Sequence, residues 1–360
     1  MILPRNVQFE RRSLNLGRAA MAVSERSMVT VSKPIETHRR ERFSTRLTAR
    51  VSFPWAVPHN RLKQSNANMS NPTSNVHRKP VAVIIGATSK WQSDGPNTKL
   101  VHGSSIKDSD VPVGIRWGSG GALSQKFAKE GFFVVMTTRA AANAAALAQA
   151  VKDQGGEGMI VELDLTSQES IADAFERIRR EAGDPEVVIY NAGYIEGRTL
   201  PKEQELLELF PVEMFDTALQ IAARGPFLVA KEILPAMRKR GSGSYFFANN
   251  KECLRGRKRS TGSSLYYPRV MMRVLAQALT EEYSEYGVHV ANVVVDGGID
   301  APGVRAIGKD GTGVAVPSNL TGPLIDPVRI AEAFYYLHTQ HPSCWSHEIQ
   351  LTPSKKLPAY

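Results

Sequence analysis

The stretch "VAVIIG" (residues 81–86) is an uninterrupted apolar run that ends in a glycine. Runs of this length and composition are typical of parallel strands, which are buried on both faces. Five similar β-rich runs follow along the chain: "FFVVMT" (132–137), "MIVEL" (159–163), "EVVIY" (186–190), "SYFFA" (244–248) and "VHVANVVV" (288–295). The sequence therefore predicts a buried sheet that begins near Val81.

Helical segments separate these strands in strict alternation. They include "ALSQKFAKEG", "SQESIADAFERIRREAG" and longer stretches from about Pro211 to Arg238 and from about Pro268 to Tyr286. Alternation of this kind predicts parallel strands joined by helical crossovers. We therefore expect an α/β fold with a doubly wound parallel sheet, a Rossmann fold, as a single domain over residues 80–352. Residues 353–360 are expected to form a C-terminal tail.

The N-terminal stretch differs in charge from the rest of the chain. Residues 1–79 carry 15 Lys and Arg against 4 Asp and Glu, which accounts for the whole net charge of +10. The domain itself is close to neutral, so we expect no nucleic-acid partner. A basic, serine-containing leader is typical of a transit peptide into the mitochondrial or plastid matrix, although its four glutamates weaken that interpretation. A disordered extension or a mistaken start site are the alternatives, and they predict a cytoplasmic protein.

Cysteine content and hydrophobic patterning exclude several classes of protein. Cys253 and Cys344 are the two cysteines, so the sequence has no disulfide framework and no metal-ligand spacing. We expect no metal site. No apolar run approaches the roughly 18 residues that span a bilayer, so we expect a soluble protein without a membrane partner.

An unusual segment separates the first strand from the first helix. Gly86 ends the strand, and Gly118, Gly120 and Gly121 open the helix. Glycines in such a loop allow a pyrophosphate to approach the backbone and the helix N-terminus. Residues 89–117 have no periodicity, whereas strand-to-helix loops usually have about 2–6 residues. They are either an insertion present in the mature protein or translated intron sequence.

Three further motifs accompany the glycines: "ELDLT" (162–166), "YNAG" (190–193) and "FDTALQIAARGPFLVAKEILPAM" (215–237). Together they resemble the short-chain dehydrogenase/reductase family over about residues 80–352. The family's loop reads glycine, three residues, glycine, one residue, glycine. Gly86, Gly118 and Gly120 take those places, although 31 residues separate the first two.

The resemblance also assigns cofactor contacts by position. It implies that Asp164 and Leu165 contact the adenine of a dinucleotide cofactor. It further implies that Asn191, Ala192 and Gly193 line the central part of the cofactor groove.

The end of the second strand bears on the choice of coenzyme. An acidic residue there would accept hydrogen bonds from a ribose diol, as in NAD-binding proteins. This chain has "TTRAAAN" (137–143) instead, and Arg139 can attract a 2′-phosphate. NADP(H) is therefore favoured over NAD(H). The alternative is that Arg139 faces solvent and has no ligand.

The catalytic positions of the family hold other residues in this chain. The family uses tyrosine, lysine, serine and asparagine for proton transfer beside the nicotinamide. By position, the tyrosine falls on Leu265, the lysine on Arg269, the asparagine on Ala222, and the serine region on "ANNKE" (248–252). The candidate substitutes are Tyr266, Arg269 and Asn250. The alternative is that Tyr266 is a packing aromatic without a chemical role.

Two classes of function remain open. The first is an NADP(H)-dependent oxidoreductase that transfers hydride to or from an unidentified small carbonyl or alcohol. The second is a catalytically inactive nucleotide-binding protein that acts as a sensor or subunit partner. The apolar stripe of Met271, Met272, Leu275 and Leu279 lies on a helix that packs across a dimer interface in the family, so the resemblance also implies a homo-oligomer.

Overall fold

The fold is a single parallel sheet with helices on both faces. The computed structural model describes residues 79–88, 112–194, 207–254, 268–302 and 323–358, within one compact unit, Pro72–Tyr360. Its seven strands are arranged in the order β3-β2-β1-β4-β5-β6-β7, and every neighbouring pair is parallel. The predicted α/β doubly wound parallel sheet is therefore confirmed.

The strands are β1 (Val81–Ile85), β2 (Phe133–Thr138), β3 (Glu157–Glu162), β4 (Val187–Tyr190), β5 (Gly243–Asn250), β6 (Val288–Val295) and β7 (Glu348–Leu351). The helices are α1 (Gly118–Lys129), α2 (Ala145–Asp153), α3 (Gln168–Glu181), α4 (Val212–Leu219), α5 (Gly225–Arg240), α6 (Pro268–Tyr283) and α7 (Pro327–His338). A π-helical turn, Gln220–Arg224, joins α4 to α5.

Two apolar layers hold the helices against the sheet, because successive side chains of a strand point to opposite faces. All five residues of β1 and all eight of β6 are buried. On one face, Ile85 and Phe247 pack with residues of α3, α5 and α6. On the other, Ile84 and Phe246 pack with residues of α1, α2 and α7. The apolar runs of the sequence therefore form the centre of the molecule.

The end of the unusual segment belongs to this core. A short 3-10 helix, Val113–Ile115, leads into α1. Ile115 and Trp117 are buried, and Gln125 Nε2 donates a hydrogen bond to the Val113 carbonyl at 3.2 Å. Residues 89–111 lie outside the described residues.

The described part of the C-terminal segment also contacts the domain. Lys356 Nζ lies 2.7 Å from Asp296 Oδ1 and 2.8 Å from the Asp296 carbonyl oxygen. Asp296 is fully buried at the end of β6, and Lys251 Nζ lies 3.7 Å from the same carboxylate oxygen. Since a buried carboxylate is stable only when it is paired and hydrogen-bonded, Lys356 holds the C-terminal segment against the end of β6.

Within the described ranges, no helix combines the length and hydrophobicity needed to cross a bilayer.

His289 lies in an aromatic environment at the amino end of β6. Its ring stacks on Trp345 with 4.7 Å between centroids and meets Phe246 edge-on at 5.1 Å. Nε2 donates to the Ser346 carbonyl at 3.1 Å. Burial lowers the pKa of His289 from 6.5 to about 4. The residue therefore has a packing role and stays neutral in the folded protein.

We expect His289 to make the fold acid-sensitive. Its pKa is near 6.5 when the chain unfolds, so only the unfolded state gains a proton as the pH falls from about 6.5 to 4. The free energy of unfolding should drop by up to about 3 kcal/mol over that window and be fully retained above it. Urea unfolding at pH 7 and pH 4.5 measures this drop. His289→Phe keeps the ring and should reduce the pH dependence; an equal dependence in both proteins would assign it to other groups.

Candidate functional site

The glycine turn forms at the carboxyl end of β1 despite the long segment inside it. Gly86 has a φ of +80°, and a Cβ there would lie 2.8 Å from the Ala192 Cα. A Cβ on Gly120 would collide with the Gly86 carbonyl and lie 2.7 Å from the carbonyl carbon of Ala87. Gly118, with a φ of +63°, opens α1. The structure therefore brings the predicted glycines together on the end of β4.

A polar contact holds β4 against this turn. Asn191 Nδ2 donates to the Gly86 carbonyl at 2.8 Å, and Asn191 Oδ1 accepts a hydrogen bond from Ser119 Oγ at 2.8 Å. Trp117 precedes α1 and provides no side-chain cap. The N-terminus of α1 consequently presents backbone N–H groups beside the glycines, which is the arrangement that binds anions.

The ends of β2 and β3 lie on one side of the glycine turn. Arg139 directly follows β2 and is exposed. Burial raises the pKa of the Tyr194 hydroxyl, and the charge of Arg139 partly offsets this, which places Arg139 near the residue that follows Gly193. Asp164 follows β3, and its Oδ1 accepts hydrogen bonds from the Thr166 backbone at 2.9 Å and hydroxyl at 2.8 Å. Leu165 is buried beside them.

Arg269 lies in the first turn of α6 and reaches the other side of the groove. Its Nη1 donates to the Ala248 carbonyl at 3.3 Å. A Cβ on Gly193 would collide with its Nη2. Asn249 Nδ2 donates to the Arg269 carbonyl at 3.1 Å and so ties this turn of α6 to β5. The structure thus brings the Arg269 guanidinium into contact with Gly193.

Asn250 is the last residue of β5 and carries a buried acceptor. Its Oδ1 is buried and has no hydrogen-bond partner among the described residues, while its backbone N–H donates to Asn249 Oδ1 at 3.0 Å. An unsatisfied buried acceptor costs about 1–3 kcal/mol. A donor supplied by a bound molecule would remove that cost.

The position expected to hold asparagine lies in the π-helical turn. Ala222 is buried within Gln220–Arg224, and the preceding Ile221 carbonyl accepts a hydrogen bond from the Tyr190 hydroxyl. Tyr190 is fully buried, and burial raises its pKa far above the ordinary value. Tyr190 therefore holds the turn and is unsuited to proton transfer. Nothing in the local sequence pattern indicated this contact.

A polar network beneath the site also escaped the sequence prediction. Asn249 Nδ2 donates to Asn292 Oδ1 at 3.1 Å, and Asn292 Nδ2 donates to Glu348 Oε2 at 2.9 Å. Arg273 donates two hydrogen bonds of 2.7 Å to Glu348 and lowers the pKa of that carboxyl group. The network joins β5, β6, β7 and α6, which are distant in sequence, so only the folded chain shows it.

Two residues at the predicted catalytic positions belong to a part of the chain that the structure does not describe. Tyr266 and Leu265 fall in residues 255–267, outside the described residues.

Among the residues that the structure does describe, no three His, Cys, Asp or Glu side chains cluster closely enough to hold a metal ion.

Comparison with known proteins identifies the family. Residues 114–346 match the family model described as "Enoyl-(Acyl carrier protein) reductase". The chain belongs to the short-chain dehydrogenase/reductase family of oxidoreductases.

Curated relatives share about a quarter of their matched residues with this chain. The cis-4-hydroxycyclohexanecarboxylate dehydrogenase of Sinomonas cyclohexanicum is 28% identical over 227 residues, which cover 63% of this chain and 87% of that protein. The uncharacterized oxidoreductase YuxG of Bacillus subtilis is 28% identical over 183 residues, which cover 50% of this chain but only 25% of that longer protein.

Solved structures agree with the fold. A metagenomic short-chain oxidoreductase in complex with NADP has a TM-score of 0.56 at 19% identity, covering 77% of this chain and 98% of its own. A gluconate 5-dehydrogenase from Burkholderia cenocepacia in complex with NADP and tartrate has a TM-score of 0.57 at 16% identity, covering 76% and 94%. At these identities the similarity establishes the fold.

The close approach at Gly120 can be tested by the sign of one substitution. Helix propensity alone predicts that Gly120→Ala stabilises the protein by up to about 1 kcal/mol. Collision with the backbone of Gly86 and Ala87 predicts destabilisation by about 1–3 kcal/mol instead. We expect destabilisation, measured by denaturant unfolding. A neutral or stabilising result would show that the loop and α1 do not touch.

Proposed function

We propose that this protein is an NADP(H)-dependent oxidoreductase that transfers hydride between the coenzyme and a carbonyl or alcohol of a small molecule. The observation that carries the proposal is the close packing of Gly86 against Ala192 and of Gly120 against Gly86, which leaves no room for a side chain at either glycine. Proteins use such a cradle to bring backbone N–H groups to a pyrophosphate. Family membership supports the same conclusion.

The residues of the groove fit NADP(H) from end to end. Gly118 and Gly120, at the uncapped start of α1, would bind the pyrophosphate. Asp164 and Leu165 would contact the adenine, and Arg139 would bind the 2′-phosphate through charge-assisted hydrogen bonds. Asn191, Ala192 and Gly193 would line the centre of the groove. When bound, the nicotinamide supplies or accepts the hydride.

Proton transfer would depend on substitutes for the family's usual residues. Tyr266 would hold the proton that passes to or from the substrate oxygen. Arg269 would favour the ionised tyrosine electrostatically and bind ribose hydroxyls, a role its position beside Gly193 supports. Asn250 Oδ1, which is buried without a partner, would accept a hydrogen bond from the substrate hydroxyl. Tyr190 is already engaged with Ile221 and takes no part.

A nucleotide-binding protein without redox chemistry is the second candidate. The positions of the family's tyrosine, lysine and asparagine hold Leu265, Arg269 and Ala222, and the serine region reads "ANNKE" (248–252). Ala222 is buried in the π-helical turn, where it offers no polar group. These substitutions favour a sensor or subunit partner that has kept the coenzyme groove.

The full-length protein, titrated with NADPH and NADH by nicotinamide fluorescence, should bind NADPH at micromolar concentration and prefer it to NADH. A panel of aldehydes and ketones should then give NADPH turnover. Tyr266→Phe should lower kcat by about 100-fold or more with little effect on NADPH affinity. Arg269→Met should lower kcat and also weaken the binding of NADPH. Binding without any turnover would favour the second candidate, and no binding of either coenzyme would remove both.

The protein also presents an apolar surface suited to self-association. Val270, Met271 and Val274 of α6 are 43%, 54% and 56% exposed, and Phe227 of α5 is 52% exposed. Of the predicted stripe, Met272 and Leu279 are buried in the molecule's own core, and Met271 belongs to the exposed face. We propose that this face joins two copies of the chain, because exposed apolar patches mark interaction sites.

Val274→Glu should therefore reduce the protein to a monomer, since a charge would be buried at the contact. Light scattering after size-exclusion chromatography gives the mass. Tyr336→Glu, at a residue 63% exposed on α7, is the matched control and should leave the mass unchanged. The proposal fails if wild-type protein is monomeric or if both variants dissociate alike.

A further inference from the structure

The end of β3 places a carboxylate beside the end of β2. Glu162 and Thr138 are partners in the register of these two strands. Thr138 is followed by Arg139 and then by a short 3-10 helix, Ala141–Ala144. The side chain of Glu162 turns toward this segment, since Glu162 Oε1 accepts a hydrogen bond from the Ala141 backbone N–H at 2.8 Å. Glu162 and Arg139 therefore lie at the same corner of the sheet.

This corner is joined to the glycine turn. Asn143 Nδ2 donates to Thr138 Oγ1 at 3.4 Å, and Thr138 Oγ1 lies 3.5 Å from Thr88 Oγ1, two residues beyond Gly86. Gly86 N also donates to Thr137 Oγ1 at 3.3 Å. The end of β2 is thus fixed against the loop that would hold the pyrophosphate. Any adenosine ribose bound there would lie within reach of the Ala141 turn.

We infer that Glu162 is a coenzyme-specificity residue that opposes Arg139. Its carboxylate already holds the Ala141 N–H, a donor that a 2′-phosphate oxygen would otherwise use. A phosphate group of about two negative charges is repelled by a neighbouring carboxylate. A ribose 2′-hydroxyl instead donates a hydrogen bond to it. The inference rests on the proposed function, because it assumes that NADP(H) or NAD(H) occupies the groove.

The position of Glu162 explains why the sequence at the end of β2 favoured NADP(H) over NAD(H). The acidic residue that selects NAD is expected at the end of the second strand, where this chain has Arg139. Glu162 comes from the end of the third strand and reaches the same turn across the sheet. The coenzyme preference of the site consequently depends on the opposite charges of Arg139 and Glu162. Neutralising Glu162 should shift that preference toward NADPH.

The test compares Glu162→Gln with wild type, because the amide keeps the shape and loses the charge. Dissociation constants for NADPH, NADH, adenosine 2′,5′-bisphosphate and 5′-AMP are measured on the full-length chain by calorimetry. Glu162→Gln should tighten NADPH and the bisphosphate by about tenfold and leave NADH and 5′-AMP within about threefold, a contrast near 1.4 kcal/mol. Arg139→Met should change the same ratio in the opposite direction.

Glu169→Gln is the matched control. Glu169 shares an open cleft with Glu162 on the α3 side, so its substitution removes the same charge nearby from a side chain other than the one that accepts the Ala141 N–H. An equal shift in both variants, or an unchanged NADPH-to-NADH ratio in Glu162→Gln, would overturn the inference while the proposed function stands. If neither coenzyme nor either adenosine nucleotide binds wild type or Glu162→Gln, the proposed function falls and the inference with it.

Discussion

The carbonyl oxygen of Gly86 is the contact point on which the rest of the site depends. It accepts a hydrogen bond from Asn191 at 2.8 Å and touches the position where Gly120 has no side chain. One atom therefore joins β1, α1 and the end of β4. Close contacts with Gly120 and Asn191 fix the position of Gly86 relative to α1, although 31 residues separate Gly86 from Gly118 in the sequence.

The opposite side of the groove is built around a guanidinium in place of an ammonium. The Arg269 guanidinium lies against Gly193, and Asn249 holds the first turn of α6. Asn249 in turn connects through Asn292 to Glu348 and Arg273. A flat, forked cation needs more space and a more fixed support than a lysine, and the network supplies that support.

Sequence alone predicted most of the scaffold and less of the site. The apolar runs predicted β1 to β6 to within a few residues, since strands buried on both faces need continuous hydrophobic side chains. Gly86, Gly118 and Gly120 were predicted together, because the need for glycine is local. Tyr190 with the π-helical turn, and Glu162 with Ala141, were missed because each contact joins elements remote in sequence whose side-chain directions follow only from the register. The sequence indicated Arg139 as a residue that can attract a 2′-phosphate, but it did not indicate Glu162.

The buried residues ahead of α1 have a consequence for how the chain closes on itself. An unconstrained loop of 31 residues costs about 2 kcal/mol more entropy to close than a loop of three, because closure entropy grows with the logarithm of length. Trp117 and Ile115 are 3% and 7% exposed. Burial of their apolar surface, at about 25 cal/mol per Å², offsets a cost of that size. The connection between Gly86 and Gly118 thus ends in two buried side chains, Ile115 and Trp117. Their burial compensates for the entropy that its length costs.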